Sequence, residues 1–203
     1  MSIKFYNLAE QYEDQRYEIM QAIDEVAKGG QYFADSAVKR FESLISHLYD
    51  RAACAGVSSG TAALTVALKV ANLPENSQVL IPAMTYVATA NAVIAAGLQP
   101  VCVDIDQYWL MDYDRLKVYL DKMKAISAVV VVDLYGQGVD LRKYKTLCDH
   151  HKVKLIVDAA QSFEIKYDSY HQIDYCDSLA LSFNPLKNLG AMGNAGAVVS
   201  KNY

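Results

Sequence analysis

From residue 52 onward the chain alternates short apolar runs with helical stretches, and this rhythm limits the possible folds more than any other feature of its 203 residues. The strand candidates are Ala53–Val57, Gln78–Ile81, Pro100–Val103, Ala128–Val132, Lys154–Val157, Ser178–Ser182 and Ala197–Ser200. Between them lie helical candidates at Thr61–Ala71, Thr85–Ala96, Asp112–Lys122 and Asp140–His151. Strands that alternate with helices predict βαβ units and a largely parallel sheet. Val129-Val130-Val131-Val132 and Leu155-Ile156-Val157 are apolar throughout, as strands covered on both faces must be. The first fifty residues read as helical. Tyr17, Met20, Ile23, Asp24 and Ala27 follow a helical period, which Gly29-Gly30 ends. A second helix is expected over Asp35–Leu48, with Val38, Phe41, Leu44, Ile45 and Leu48 at three- and four-residue steps. Ser162–Asp177 is the longest polar interval and reads as a loop or short hairpin. The expected organisation is a helical segment over 1–50 and an α/β domain over 51–203. Its sheet is mostly parallel and seven-stranded, flanked by helices in three layers.

Charge and composition remove several alternatives. With 53% hydrophobic residues the chain can bury a core, so it is not disordered. A net charge of −4 argues against a nucleic-acid surface, which needs a clustered positive field. No run approaches the ~18 apolar residues of a membrane-spanning helix. The opening MSIKFYNLAEQYEDQ turns polar at once, unlike a signal peptide. Cys54, Cys102, Cys148 and Cys176 form no C-x-x-C pair, so reduced thiols in a cytoplasmic protein are expected. Cys148, His150 and His151 are close in sequence, but adjacent helical histidines diverge by about 100° and no second cluster completes a tetrahedral site, so no metal is expected.

In open α/β sheets ligands bind at the carboxyl ends of the strands. Four such ends carry suggestive chemistry. Ser58-Ser59-Gly60-Thr61-Ala62 opens a helix, whose free N–H groups and positive dipole end suit a phosphate; an ordinary Ser/Thr cap is the plainer reading. G-x-x-x-x-G-K-[ST] and G-x-G-x-x-G fingerprints are absent, which removes support for nucleotide-triphosphate and dinucleotide folds. Tyr86 follows the second strand, just inside a helix, where a ring stacks either on a planar ligand or on the core. Asp158 ends a buried strand, where a carboxylate needs a positive partner or serves as a cap. Lys187 lies in a loop of small residues, either as an amine nucleophile or as a solvated loop lysine. Together they match what pyridoxal phosphate requires: an anion cradle, a stacking face, a carboxylate for the ring nitrogen and a lysine for the aldehyde.

At these residues the chain resembles the DegT/DnrJ/EryC1/StrS sugar aminotransferases. The resemblance runs through Ser59-Gly60-Thr61-Ala62-Ala63-Leu64, Ile81–Thr89, Gly97–Val101 with Asp104-Ile105-Asp106, Asp133-Leu134-Tyr135-Gly136, Asp158-Ala159-Ala160-Gln161-Ser162 and Ser182–Gly190. It implies the large domain of a fold-type-I pyridoxal-phosphate transferase acting on nucleotide-linked keto sugars. Lys187 would then carry the cofactor and shuttle protons, and Asp158 would pair with the ring nitrogen. Gln161 would meet the phenolic-oxygen side, and Tyr86 would stack on the ring. Gly60, Thr61, Ala62 and Ser182 would hold the phosphate, with Asn188 also at the cofactor. The lysine, where some relatives carry histidine, favours transamination over dehydration. The chain departs from the family pattern at Met192–Gly196, Phe163-Glu164 and Glu75–Gln78.

The resemblance also implies a smaller C-terminal domain beyond Tyr203, absent from this sequence, that covers the substrate and contributes residues to a neighbouring subunit's site. Three readings follow. One is an aminotransferase that moves an amino group, with glutamate as the expected donor, onto a nucleotide-linked keto-deoxy-sugar. Another is an inactive remnant, or half of a split enzyme needing a complementary C-terminal chain. The third is another pyridoxal enzyme of this fold, which the lysine loop fits least well. A homodimer is expected, with Tyr6, Tyr12, Tyr32 and Phe33 offering apolar surface; neither nucleic acid nor membrane is an expected partner.

Overall fold

The computed structural model of the chain describes residues 4–33, 36–50 and 52–201. Two helices, α1 (Leu8–Gly29) and α2 (Ser36–Leu48), precede the sheet. Asp35, expected at the start of the second helix, lies outside the described residues. The strands are β1 (Ala53–Val57), β2 (Gln78–Pro82), β3 (Gln99–Val103), β4 (Ile126–Val132), β5 (Lys154–Asp158), β8 (Ser178–Ser182) and β9 (Gly196–Ser200). Interleaved with them are α3 (Gly60–Val70), α4 (Ala88–Ala95), α5 (Tyr113–Lys122) and α6 (Leu141–His151). The polar interval folds as a two-residue hairpin, β6 (Lys166–Tyr167) and β7 (Tyr170–His171), followed by a 3-10 turn at Gln172–Tyr175.

The sheet order is β1-β9-β8-β5-β4-β2-β3. Neighbouring strands run parallel from β8 through β5, β4 and β2 to β3, whereas β9 is antiparallel to both β8 and β1. All strands except β9 therefore end at one edge of the sheet. The expected mostly parallel, seven-stranded α/β architecture is what forms.

The apolar runs split by residue parity, because successive strand side chains point to opposite faces. In β4, Val129 and Val131 enter one core with Leu80, Leu155 and Leu179, while Ala128, Val130 and Val132 enter the other with Val79, Ile81 and Ile156. The first core is covered by α2, α5 and α6 through Ile45, Leu116, Leu120, Leu141 and Leu147. The second is covered by α3 and α4 through Ala63, Leu64, Ala67, Leu68, Ala92 and Val93. Each fully buried Val or Leu contributes about 1.5–3 kcal/mol, so a strand buried on both faces anchors the sheet.

The α2 helix joins this core through Ile45, Phe41 and Leu48, and Phe41 meets Phe183 edge-on at 5.2 Å. Leu44, on the same expected apolar stripe, is exposed. By contrast, α1 has no buried residue, and Tyr17, Met20 and Ile23 stand in solvent. Its helical period comes from an apolar stripe that the other described residues leave without a buried side chain. Among the described residues, no helix is long and apolar enough to cross a membrane, and no group of three or more His, Cys, Asp and Glu side chains could hold a metal ion. His151 instead lies 3.3 Å from Asp121, and Cys148 is buried.

Candidate active site

A cavity of about 850 Å³ opens where β1, β2, β4, β5 and β8 end. Of the residues expected at a cofactor site, Gly60, Thr61, Tyr86, Asp158, Gln161, Ser182, Lys187 and Asn188 line it. Ala62 does not. Its N–H donates to Ser59 Oγ at 3.1 Å, while Ala63 N–H closes on the Ser59 carbonyl at 2.9 Å. Ser59 thus caps α3 and leaves the Gly60 and Thr61 amides of the first turn, which have no intrahelical acceptor, at the cavity wall. This end of α3 lies tightly against the end of β8. A Cβ on Gly60 would stand 2.7 Å from Ser182 Cβ, so only glycine lets the amides and the Ser182 hydroxyl share one pocket.

At the end of β5, Asp158 is 6% exposed. Its Oδ2 accepts a 3.0 Å hydrogen bond from Thr89 Oγ1, and its Oδ1 accepts the Ala160 N–H at 3.1 Å. Thr89 is itself oriented by Thr85, whose hydroxyl lies 2.8 Å away. Burial pushes the Asp158 carboxyl above the usual carboxylate range; the two hydrogen bonds and the charge of Lys187 pull it back. A cationic group in the cavity would favour the carboxylate further. The Thr85–Thr89 pair is one helical turn apart, but the sequence does not show that it faces a carboxylate 69 residues away.

Tyr86 is not inside a helix. The α4 ladder begins with Asn91 N–H to the Val87 carbonyl, so Tyr86 sits in the preceding turn, 71% exposed on the cavity wall. Its face is therefore open to a ligand, not packed on the core.

The loop after β8 is organised by Asn184. Its Oδ1 accepts the Leu186 N–H at 3.1 Å, its Nδ2 donates to Asn194 Oδ1 at 2.9 Å, and its carbonyl takes the Lys187 N–H at 2.8 Å. Bonds from Ala191 N–H to the Phe183 carbonyl and from Phe183 N–H to the Ala195 carbonyl close the loop at its base. The half-buried Lys187 is thereby presented to the cavity by a rigid turn.

Gln161 is fixed from the other side. Its Oε1 accepts the Tyr135 N–H at 2.7 Å, which leaves the Nε2 hydrogens as its donors. Tyr135 adopts φ 57°, a left-handed conformation uncommon for a bulky residue, and its ring is another exposed part of the cavity lining. Phe5 and Tyr6, paired edge-on at 4.9 Å, also reach the lining. Tyr135, Thr89, Asn184 and Phe5 are site features that the sequence reading did not single out.

The family model for the DegT/DnrJ/EryC1/StrS aminotransferases matches residues 13–203. This chain belongs to that family. Among curated relatives it is 33% identical over 98% of its length to a pleiotropic regulatory protein of Geobacillus stearothermophilus, covering 54% of that protein. It is 34% identical over 94% of its length to the dTDP-3-amino-3,4,6-trideoxy-alpha-D-glucose transaminase of Micromonospora megalomicea subsp. nigra, covering 50% of it. Among solved structures, NtdA of Bacillus subtilis, determined with bound cofactor PMP, superposes with a TM-score of 0.92 at 29% identity, over all of this chain and 46% of that one. The DegT/DnrJ/EryC1/StrS fold is thus the fold seen here, and the chain spans about half the length of the curated relatives it matches.

Proposed function

We propose that this chain forms the cofactor-binding part of a pyridoxal-phosphate-dependent sugar aminotransferase. The observation that carries the reading is the convergence on one cavity of a helix N-terminus, an exposed tyrosine ring, a buried aspartate and a loop lysine. The donor set fits pyridoxal 5′-phosphate part by part. The Gly60 and Thr61 amides and the Ser182 hydroxyl suit the phosphate, Tyr86 offers a ring face, Asp158 suits a protonated ring nitrogen, and Gln161 offers Nε2 hydrogens to a ring oxygen.

Bound there, the cofactor supplies an aldehyde for amino-group exchange and a ring that stores an electron pair. The work left to the protein is local. The Asp158 carboxylate would keep a proton on the ring nitrogen, because a buried anion stabilises an adjacent cation. Thr89 and the Ala160 amide hold that carboxylate in one orientation. Lys187 Nζ would hold the cofactor's aldehyde and would be the amine placed to accept and return a proton.

The substrate class is a nucleotide-linked keto sugar with an amino-acid donor such as glutamate, supported by relatives described as sugar transaminases. The uncovered stripe of α1 supports a homodimer, and four free cysteines accord with the cytoplasm as the compartment. The division into a helical segment over 1–50, a cofactor-binding domain over 51–203 and a separate small domain belongs to the same proposal. A second reading, a chain that binds cofactor but needs a complementary chain for turnover, draws on the exposed Tyr86, Leu186 and Met192.

The test is a titration of the purified chain with pyridoxal phosphate, followed by its visible absorbance. A saturable band that disappears in Lys187→Ala is expected; no band in the unmodified chain would overturn the reading. Amino transfer to keto-sugar nucleotides by the chain alone, against transfer only with an added C-terminal chain, separates the two readings.

A further inference from the structure

Behind the cavity, the first residue after β4 is a second buried carboxylate that does not line the cavity itself. Asp133 is 0% exposed. Its N–H donates to the Asp158 carbonyl at 3.2 Å, and its own carbonyl takes the Gly136 N–H at 3.2 Å, closing the turn that carries Tyr135. Its Oδ2 accepts the Ser162 hydroxyl at 2.6 Å and a hydrogen bond from Gln172 Nε2. Ser162 directly follows Gln161. Both partners of the Tyr135 N–H to Gln161 Oε1 bond are therefore tied to Asp133, one through its backbone turn and the other through its side chain. The turn also lies close against Gln161: Gly136 has φ +79°, and a Cβ there would stand 3.3 Å from the Gln161 carbonyl oxygen.

We propose that Asp133 is a positioning residue for the Gln161 side-chain amide, holding Oε1 against Tyr135 so that Nε2 remains the donor offered to the cavity. The proposal rests on the cofactor reading only for what that donor meets; the clamp itself exists without any ligand.

Below about pH 7 the clamp carries a neutral carboxyl. Among the described residues, Asp133 Oδ1 and Gln172 Oε1 are buried acceptors without a hydrogen-bond partner of good geometry. A proton on Asp133 Oδ1 removes the charge that this partnerless oxygen would otherwise bury. Burial pushes the carboxyl up to about 7; Ser162, Gln172 and Val139 pull it down, and the charge of Asp158 pushes it up. The other titratable groups facing it are Tyr49 at the end of α2, Tyr167 in β6 and Cys176 before β8. Asparagine has the same shape and a permanent donor, so it can stand in for the neutral acid.

The experiment reads amide hydrogen exchange at Tyr135 by NMR on the cofactor-free chain, with the Val130 amide as the control for an intact sheet. Tyr135 is exposed, so its amide protection depends on the bond to Gln161. Asp133→Ala and Ser162→Ala should each speed exchange at Tyr135 at least tenfold and leave Val130 unchanged, while Asp133→Asn stays within about twofold of the parent. If Asp133→Ala does not fold, Ser162→Ala tests the same clamp. In a second arm, the pH midpoint of the visible band with pyridoxal phosphate should move in Asp133→Ala but not when the same change is made on Gln161→Ala. Unchanged Tyr135 exchange in a folded clamp variant would overturn the proposal, as would failure of asparagine to rescue it or an equal band shift in the Gln161→Ala background. Absence of any band in the parent chain would overturn the cofactor reading alone, because the exchange arm contains no cofactor.

Discussion

Replacing Asp133 by asparagine should remove a pH dependence from the stability of the fold. In the folded chain burial holds this carboxyl near 7, while an unfolded aspartate titrates at about 3.9. Because the folded pKa is the higher one, the folded state binds the extra proton between these values. The contribution is favourable at low pH and is lost as pH rises from about 4 through about 7. Each unit of difference is worth 1.36 kcal/mol, so the full window spans about 4 kcal/mol, with about 3 kcal/mol of it between pH 5 and 8. Asparagine carries the hydrogen bonds without titrating. Asp158, also raised by burial, is present in both proteins, and its charge is part of what raises Asp133. The assay is urea denaturation of the parent and Asp133→Asn at pH 5, 6, 7 and 8. The parent should lose about 3 kcal/mol relative to the variant across that range. A flat difference would refute the reasoning, because it would mean that Asp133 has the same proton affinity in both states.

Two further perturbations probe the site itself. Gly60→Ala forces a Cβ to within 2.7 Å of Ser182 Cβ, so the α3 N-terminus must back away from β8; pyridoxal phosphate affinity, followed by its absorbance, should fall at least tenfold, with a stability loss of about 1–3 kcal/mol in denaturant. Thr89→Val keeps the volume but removes the 3.0 Å bond to Asp158 Oδ2, which should cost about 1 kcal/mol of stability and raise the Asp158 pKa further; cofactor affinity should then weaken as pH falls, at a higher pH than in the parent.

Much of the fold was legible because strand and helix periods are local properties of the chain. β1 and β8 span the very residues expected of them, and the other five large strands begin or end within two residues of expectation. The differences lie where a side chain or a cap decides an end. Thr85–Tyr86 read as helix because the run is continuous, yet the α4 ladder starts only at Val87, and this leaves Tyr86 in the open turn a stacking ring needs. Ala62 read as part of the anion cradle from its place after glycine, but the cap at Ser59 takes its amide. Leu44 and the α1 stripe show that an apolar period marks a face without saying what covers it.

By itself the sequence determined the α/β class, the strand ends and eight of the cavity residues, because period, burial on two faces and the Gly60, Asp158 and Lys187 neighbourhoods are all encoded within a few residues. Only the tertiary structure decided which donors remain free and which are spent. Thr89 reaches Asp158 across 69 positions, Ser162 reaches Asp133 across 29 and Gln172 reaches it across 39. Hydrogen-bond partners are chosen by distance and angle in space, and no local pattern in the chain carries that information.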